Sequence, residues 1–212
     1  MNQMKNDAVS PVIGVLLMLV VTIIIAAIVS SFAGGMASDQ SKAPQAAISA
    51  ISDIIDISDE NNENYVPDYP DDYTANNGIL FENKGGDGFS VDDIAIQVQS
   101  DDTKTVISNS YEIPADTCLD TDVVTAYIMK VGATDATDKY IKNGDKFKLY
   151  ADNCYDASAE SLGEYAMAPC ITWKPEGAIA GFAAFTGHKV DYKIIDKSSQ
   201  KVISQGQLTL TL

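Results

Sequence analysis

Few side chains in this sequence could do acid–base or nucleophilic chemistry. His188 is the only histidine. It comes directly before an expected strand, so we interpret it as a surface or turn residue rather than a catalytic base. The chain has no G-x-S-x-G elbow, phosphate-binding loop or metalloprotease motif, and a hairpin turn explains the glycines of residues 84–88 (KGGDG) without a phosphate. The sequence therefore predicts a protein that is not an enzyme, with no catalytic residue and no cofactor.

Three cysteines, Cys118, Cys154 and Cys170, are the other reactive side chains. Their spacing matches no zinc pattern and no second histidine could complete one, so we predict no metal site. We expect one intradomain disulfide, with a preference for a pair that includes Cys154, and a third thiol that is buried or intermolecular. Sequence leaves the pairing open. Three buried thiols that pack as small apolar side chains are the alternative.

Acidic residues dominate the polar part of the chain. Its 14 basic residues are all lysine and face 30 Asp and Glu, for a formal charge of −16. Such a surface argues against nucleic-acid binding, which needs a basic footprint. Residues 59–77 (DENNENYVPDYPDDYTANN) have no apolar period and predict a long exposed loop. Tyr65, Tyr69 and Tyr73 in it could form a sticky surface or a cation site, but no calcium-loop spacing is present, so we favour a solvated loop.

Residues 8–38 form a stretch that is long and apolar enough to cross a membrane as a helix. It contains no charged residue, and about 20 apolar residues in a helix span roughly 30 Å, the thickness of a bilayer core. Ser10 and Pro11 are a good helix start, and Gly34 with Gly35 is the expected softening or end point. The alternative of a secretory signal peptide is disfavoured, because the apolar region is too long and Lys5 is the only positive residue near it.

The run AVSPVIGVLLMLVVTIIIAAIVSSF after Asp7 resembles the N-terminal segment of archaeal type IV pilins. The resemblance implies that residues 1–7 are a leader, which a prepilin peptidase removes by cutting between Asp7 and Ala8. Residues 8–38 would then leave the membrane and pack with their copies in a filament core. Bacterial type IV pilins carry a glutamate where this chain has Val12, which favours the archaeal family. The filament-core positions implied are Val12, Gly14, Val15, Leu16, Leu19, Val21, Ile24 and Ile28.

The same resemblance implies the function and the partners. The chain would be a structural subunit of an archaeal type IV pilus-like filament, with a role in surface adhesion or cell aggregation. Its partners would be copies of itself, the peptidase, an assembly ATPase and a membrane platform protein. The precursor would be a single-pass membrane protein and the mature subunit part of an extracellular filament. A subunit of an archaellum, the swimming filament, and a membrane-tethered extracytoplasmic binding module that stays monomeric are the alternatives.

The remainder of the chain predicts a β-rich head. We expect a junction at residues 39–44 and a head domain at 45–212. Residues 45–58 fit either a helix or a strand, and we favour a strand. Short alternating segments with Gly and Asp turns follow, including a hairpin across residues 84–88, a strand over residues 121–131 and a final hairpin across residues 198–199. The fold class predicted is α+β, with a long N-terminal apolar helix followed by an antiparallel β-sandwich or barrel.

Overall fold

The structure is a computed structural model that describes residues 10–38 and 42–212. The chain divides into two compact units, Met1–Lys42 and Ala43–Leu212, and each is described by itself. The predicted cleavage bond between Asp7 and Ala8 lies outside the described residues, as do junction residues 39–41.

The first unit contains one α-helix, α1, which spans Ser10–Ser38. It begins at the predicted Ser-Pro start, and its interior holds no proline that would break it. The hydroxyl of Thr22 donates to the carbonyl of Leu19 at 2.9 Å, so this polar group is satisfied within the helix. The helix does not end at Gly34 and Gly35 but continues to Ser38. The residues around the two glycines, Ala33 and the pair Met36-Ala37, are strong helix formers, which accounts for the continuation.

The second unit, the head, is built from short strands. They are β1 Ala46–Asp53, β2 Gly78–Gly86, β3 Phe89–Ser90, β4 Ile94–Ser100, β5 Thr103–Ile107, β6 Ile128–Lys130, β7 Tyr140–Ile141, β8 Lys146–Tyr150, β9 Asn153–Asp156, β10 Pro169–Trp173, β11 Phe182–Phe185, β12 Lys189–Asp196 and β13 Val202–Thr209. Two short 3₁₀ helices, Val91–Asp93 and Glu160–Tyr165, complete the regular structure. The strand expected within residues 45–58 is confirmed as β1.

All strand pairs in the described head are antiparallel. One four-stranded sheet has the order β1-β2-β8-β6 and a second has the order β13-β12-β4-β5. A three-stranded sheet has the order β11-β10-β9, and β3 pairs with β7. The predicted α+β class with a mostly β head is therefore confirmed, and the final hairpin is present as β12 and β13.

One contiguous core joins these sheets. Phe81 of β2 meets Tyr192 of β12 edge to face, with ring centroids 5.2 Å apart, so the two four-stranded sheets pack against each other. Phe81 also stacks on Phe147 of β8 at 5.1 Å. Trp173 is 1% exposed, as expected for a core residue, and its indole nitrogen donates to the carbonyl of Tyr150 at 2.8 Å. The arrangement is a sandwich of separate sheets rather than a closed barrel.

The hairpin predicted across residues 84–88 is wrong. Strand β2 pairs with β1 and β8, whereas β4 pairs with β12 and β5 in the other sheet. Gly86 has a φ of 101°, and a Cβ there would lie 2.2 Å from the carbonyl oxygen of Gln45. The amide of Asp87 donates to that same carbonyl at 2.8 Å. Residues 84–88 therefore close against the start of β1 and carry the chain between the two sheets.

The long strand expected at residues 121–131 is also wrong for most of its length. Only Ile128–Lys130 is a strand, and the residues before it turn, with the amide of Val124 bonded to the carbonyl of Asp120 at 2.7 Å. Val124 and Tyr127 are both buried, so their apolar character serves the core without extending the sheet. Local alternation of apolar and polar residues predicts a strand here, but it does not indicate where the chain turns inward.

Candidate functional site

The helix α1 presents an apolar surface on every side. Val12–Ser31 is a 20-residue segment of mean hydropathy 3.3, and it is the only helix in the described parts of the chain that is long and apolar enough to cross a membrane. The large apolar side chains from Val12 to Val29 are between 45% and 72% exposed. A helix that is apolar all round must be covered by lipid or by other helices.

Every filament-core position named from the sequence lies on this helix. The seven with large side chains, Val12, Val15, Leu16, Leu19, Val21, Ile24 and Ile28, are all exposed. The eighth, Gly14, would have no atom within 4 Å of an added Cβ. Packing within the single chain therefore does not require a glycine here, and the position leaves room for the close approach of a second helix.

The three cysteines are buried thiols in the head. The sulfur atoms of Cys118 and Cys154 lie 3.4 Å apart. Cys170 is not part of this pair. Strand β10 places Cys170 opposite Tyr155, and β9 places Cys154 opposite Ile171, so Cys154 and Cys170 point to opposite faces of one sheet. The disulfide expected from sequence is not confirmed, but the structure brings together one pair, which includes Cys154 as preferred.

Both thiols of this pair have a hydrogen-bond acceptor. The Cys154 thiol donates to the sulfur of Cys118, and the Cys118 thiol donates to the carbonyl of Ala75 at 3.7 Å. Each S–H is therefore satisfied inside the folded head.

Asp152, two residues before Cys154, is a fully buried carboxylate. Its Oδ2 accepts hydrogen bonds from the Tyr127 hydroxyl and from the Lys174 amide, both at 2.6 Å. Its Oδ1 has no partner in the part of the head that the structure describes. Burial raises the pKa of Asp152 from 3.8 to about 6, so the folded head holds a proton there more tightly than the unfolded chain does.

Replacing this carboxylate should change how stability depends on pH. The contribution of Asp152 is fully present below pH 4 and is lost as the pH rises to about 6, at a cost of about 2–3 kcal/mol. Asp152→Asn keeps an oxygen for Tyr127 and Lys174 and carries no charge. We expect the variant to gain stability relative to the native chain between pH 4 and 7, in denaturant unfolding of the full-length protein followed by Trp173 fluorescence. A difference that is constant over this range, or equal to that of the exposed Asp122→Asn, would contradict the assignment.

The tyrosines of residues 59–77 do not form the exposed surface considered from sequence. Tyr65 is exposed, but Tyr69 and Tyr73 are partly buried and stack with ring centroids 5.4 Å apart. The Tyr73 hydroxyl bonds to the amide of Ser58 and lies 3.5 Å from the sulfur of Cys154. This loop is therefore partly folded onto the head, which proline and acidic residues alone did not indicate.

Other groups considered for chemistry stand apart. His188 lies just before β12, with Nδ1 at 3.7 Å from the carboxylate of Asp101, and both side chains are well exposed. Within residues 10–38 and 42–212, no group of three or more His, Cys, Asp or Glu side chains is arranged to hold a metal ion. The structure thus places the lone histidine on the surface, where sequence analysis put it.

The fold and these surfaces define a class of protein, namely a β-rich head that follows one apolar helix of membrane-spanning length. Residues 7–48 match the family model of the archaeal type IV pilin N-terminal segment. The resemblance carried by AVSPVIGV is therefore confirmed over about one fifth of the 212-residue chain. No curated protein matches the chain. An N-terminal pilin segment and an apolar helix fit a membrane-anchored precursor.

Proposed function

We propose that this chain is a structural subunit of an archaeal type IV pilus-like filament, which polymerises through α1 and acts in surface adhesion or cell aggregation. The observation that carries the proposal is the exposed apolar helix of membrane-spanning length within the segment that matches the pilin family. In this proposal a prepilin peptidase cuts between Asp7 and Ala8, and an assembly ATPase and a membrane platform protein drive extraction. The family that residues 7–48 match consists of structural subunits, which supports this role.

The energetics of the helix favour a polymer over a released monomer. Extraction from lipid would expose on the order of a thousand Å² of apolar surface, which at about 25 cal/mol per Å² costs tens of kcal/mol. Transfer into a core of identical helices keeps this surface dry. Because such contacts are head-to-tail and do not close on themselves, the product is an open helical fibre.

The head suits a role in attachment. A fibre repeats each head surface many times, and weak contacts repeated along it add through effective concentration, so no single strong site is needed. The head's acidity limits approach to negative surfaces, but charges are screened beyond about 8–10 Å at physiological salt.

Sheared surface material from cells tests the proposal directly. We expect filaments in electron micrographs, with a subunit whose first residue by mass spectrometry is Ala8. Deletion of the chain should remove these filaments and reduce adhesion or aggregation, while swimming persists. The same strain complemented with the native chain is the control.

The alternatives give different results in that experiment. Loss of swimming with adhesion intact would identify an archaellum subunit. An intact Met1 terminus, with the protein found singly in the membrane and neither behaviour affected, would identify a tethered binding module instead.

A further inference from the structure

The head contains a cleft of about 560 Å³ that the filament proposal does not use. Pockets for small ligands commonly measure about 300–1,000 Å³ and combine an apolar lining with a few polar groups. The floor of the cleft is the outer face of the β9-β10-β11 sheet, where Asn153, Thr172 and Ala183 form one cross-strand row. A rigid sheet therefore supports it.

Aromatic rings from two parts of the chain line the cleft. Tyr65 and Tyr69 come from residues 59–77, and Tyr155 comes from β9. The hydroxyl of Tyr65 donates to the carbonyl of Tyr165. The hydroxyl of Tyr69 accepts from the amide of Cys154 at 3.0 Å. These bonds fix the tyrosine side chains in place, so their ring surfaces are preorganised for contact.

Three charged side chains at the cleft remain available for a ligand. Asp68, Asp116 and Lys174 all line it and are exposed, and none of these side chains makes a hydrogen bond or ion pair with the described residues. A carboxylate accepts hydrogen bonds and an ammonium donates them. The hydroxyl of Thr172 on the floor can do both.

We infer that this cleft binds a neutral glycan, as a short oligosaccharide or the end of a longer one. A sugar presents apolar C–H faces that pack on aromatic rings and hydroxyls that donate and accept in turn, and the cleft offers both kinds of partner. Anionic ligands are disfavoured because Asp68 and Asp116 line the cleft and the chain carries a formal charge of −16. The biological role of the site, as the adhesive contact of the fibre, rests on the proposed function, but binding itself does not.

Binding is tested with the full-length chain in a detergent that has no sugar head group. The probes are an array of neutral hexose and N-acetylhexosamine oligosaccharides, their uronate and sulfated counterparts, and short neutral peptides. We expect saturable binding to a subset of the neutral oligosaccharides. Tyr65→Ser and Asp116→Asn should each weaken it about tenfold, the loss of one good contact.

Matched controls lie elsewhere on the head. Tyr111→Ser alters a tyrosine about as exposed as Tyr65, at 47% against 42%, and Asp122→Asn alters an exposed aspartate outside the cleft. Both should bind as the native chain does, and Trp173 fluorescence should show that all four variants fold. Binding only to peptides or to acidic sugars, no saturable binding, or equal losses in the controls would overturn the inference.

Filament counts for the same variants separate this inference from the proposed function. Filaments without glycan binding would overturn the glycan site alone. Glycan binding without filaments in the native strain would overturn the filament role alone. If Tyr65→Ser and Asp116→Asn lose filaments and the native chain binds no glycan, the cleft is a contact between subunits, and the proposed glycan site is overturned.

Discussion

Cells that carry Val21→Lys should make few or no filaments while retaining the protein in the membrane. Val21 lies near the middle of the Val12–Ser31 segment, among large apolar side chains. A single lysine there costs about 2.5–3.5 kcal/mol on insertion, which the remaining apolar residues offset. In a filament core the same lysine would be unpaired, at a cost of several kcal/mol in each subunit, and like charges would repeat along the fibre. Assembly is therefore the more sensitive step.

Two controls separate charge in the core from other effects. Val21→Leu keeps the position apolar, and Val202→Lys places the same charge on the head, where Val202 is 42% exposed. Both strains should make filaments in near-native numbers, counted by electron microscopy against membrane protein measured by immunoblot. Native filament numbers in Val21→Lys, at native membrane levels, would show that the helix is not the filament core.

The helix could be predicted from sequence because its signal is local. Residues 8–38 carry no charge, and the Ser-Pro start and the apolar length need no information from elsewhere in the chain. The end was harder to place, since glycine only weakens a helix and the residues around Gly34 and Gly35 favour one. Alternating residues likewise predicted most of the strands, because alternation follows from the two faces of a sheet.

Strand pairing could not be predicted in the same way, because it depends on contacts distant in sequence. The glycines of residues 84–88 looked like a hairpin, yet the backbone of Gly86 and Asp87 meets Gln45, about forty residues earlier. The cleft could not be predicted for the same reason. Its lining residues run from Tyr65 to Ala183, and no short motif contains them. Tyr65 was singled out from sequence, but nothing there connected it with Asp116 or Lys174.

The cysteine pair shows how topology decides what spacing left open. The spacing of the cysteines favoured a disulfide that includes Cys154 but did not distinguish Cys118 from Cys170 as its partner. The register of β9 and β10 turns Cys154 and Cys170 to opposite faces, and the loop before β6 brings Cys118 to within 3.4 Å of Cys154. An S–S bond of about 2.0 Å requires these sulfur atoms to approach by about 1.4 Å more.

We therefore expect a disulfide bond between Cys118 and Cys154 in protein that has been in an oxidising environment. Because both thiols are buried in the folded head, the exchange would take place while the head folds. One thiolate of the pair would attack the disulfide of a thiol–disulfide oxidoreductase and form a mixed disulfide, releasing one thiol of that enzyme. The other thiol would then lose its proton and attack the sulfur of the first, releasing the enzyme's second thiol. The head gains one disulfide, two thiol protons are given up, and the oxidoreductase takes the two electrons.

Loss of this bond should lower the free energy of unfolding by about 4 kcal/mol, since it closes a loop of 36 residues in sequence separation. Cys118→Ala removes the bond, whereas Cys170→Ala makes the same change at a buried cysteine and keeps it. Reductant should destabilise the native chain and Cys170→Ala but leave Cys118→Ala unchanged in denaturant unfolding. Peptide mapping without reductant should find Cys118 linked to Cys154 and only Cys170 open to alkylation after denaturation. Three alkylated cysteines in that map would show that the pair remains as thiols, because a disulfide would have withheld two of them from the reagent.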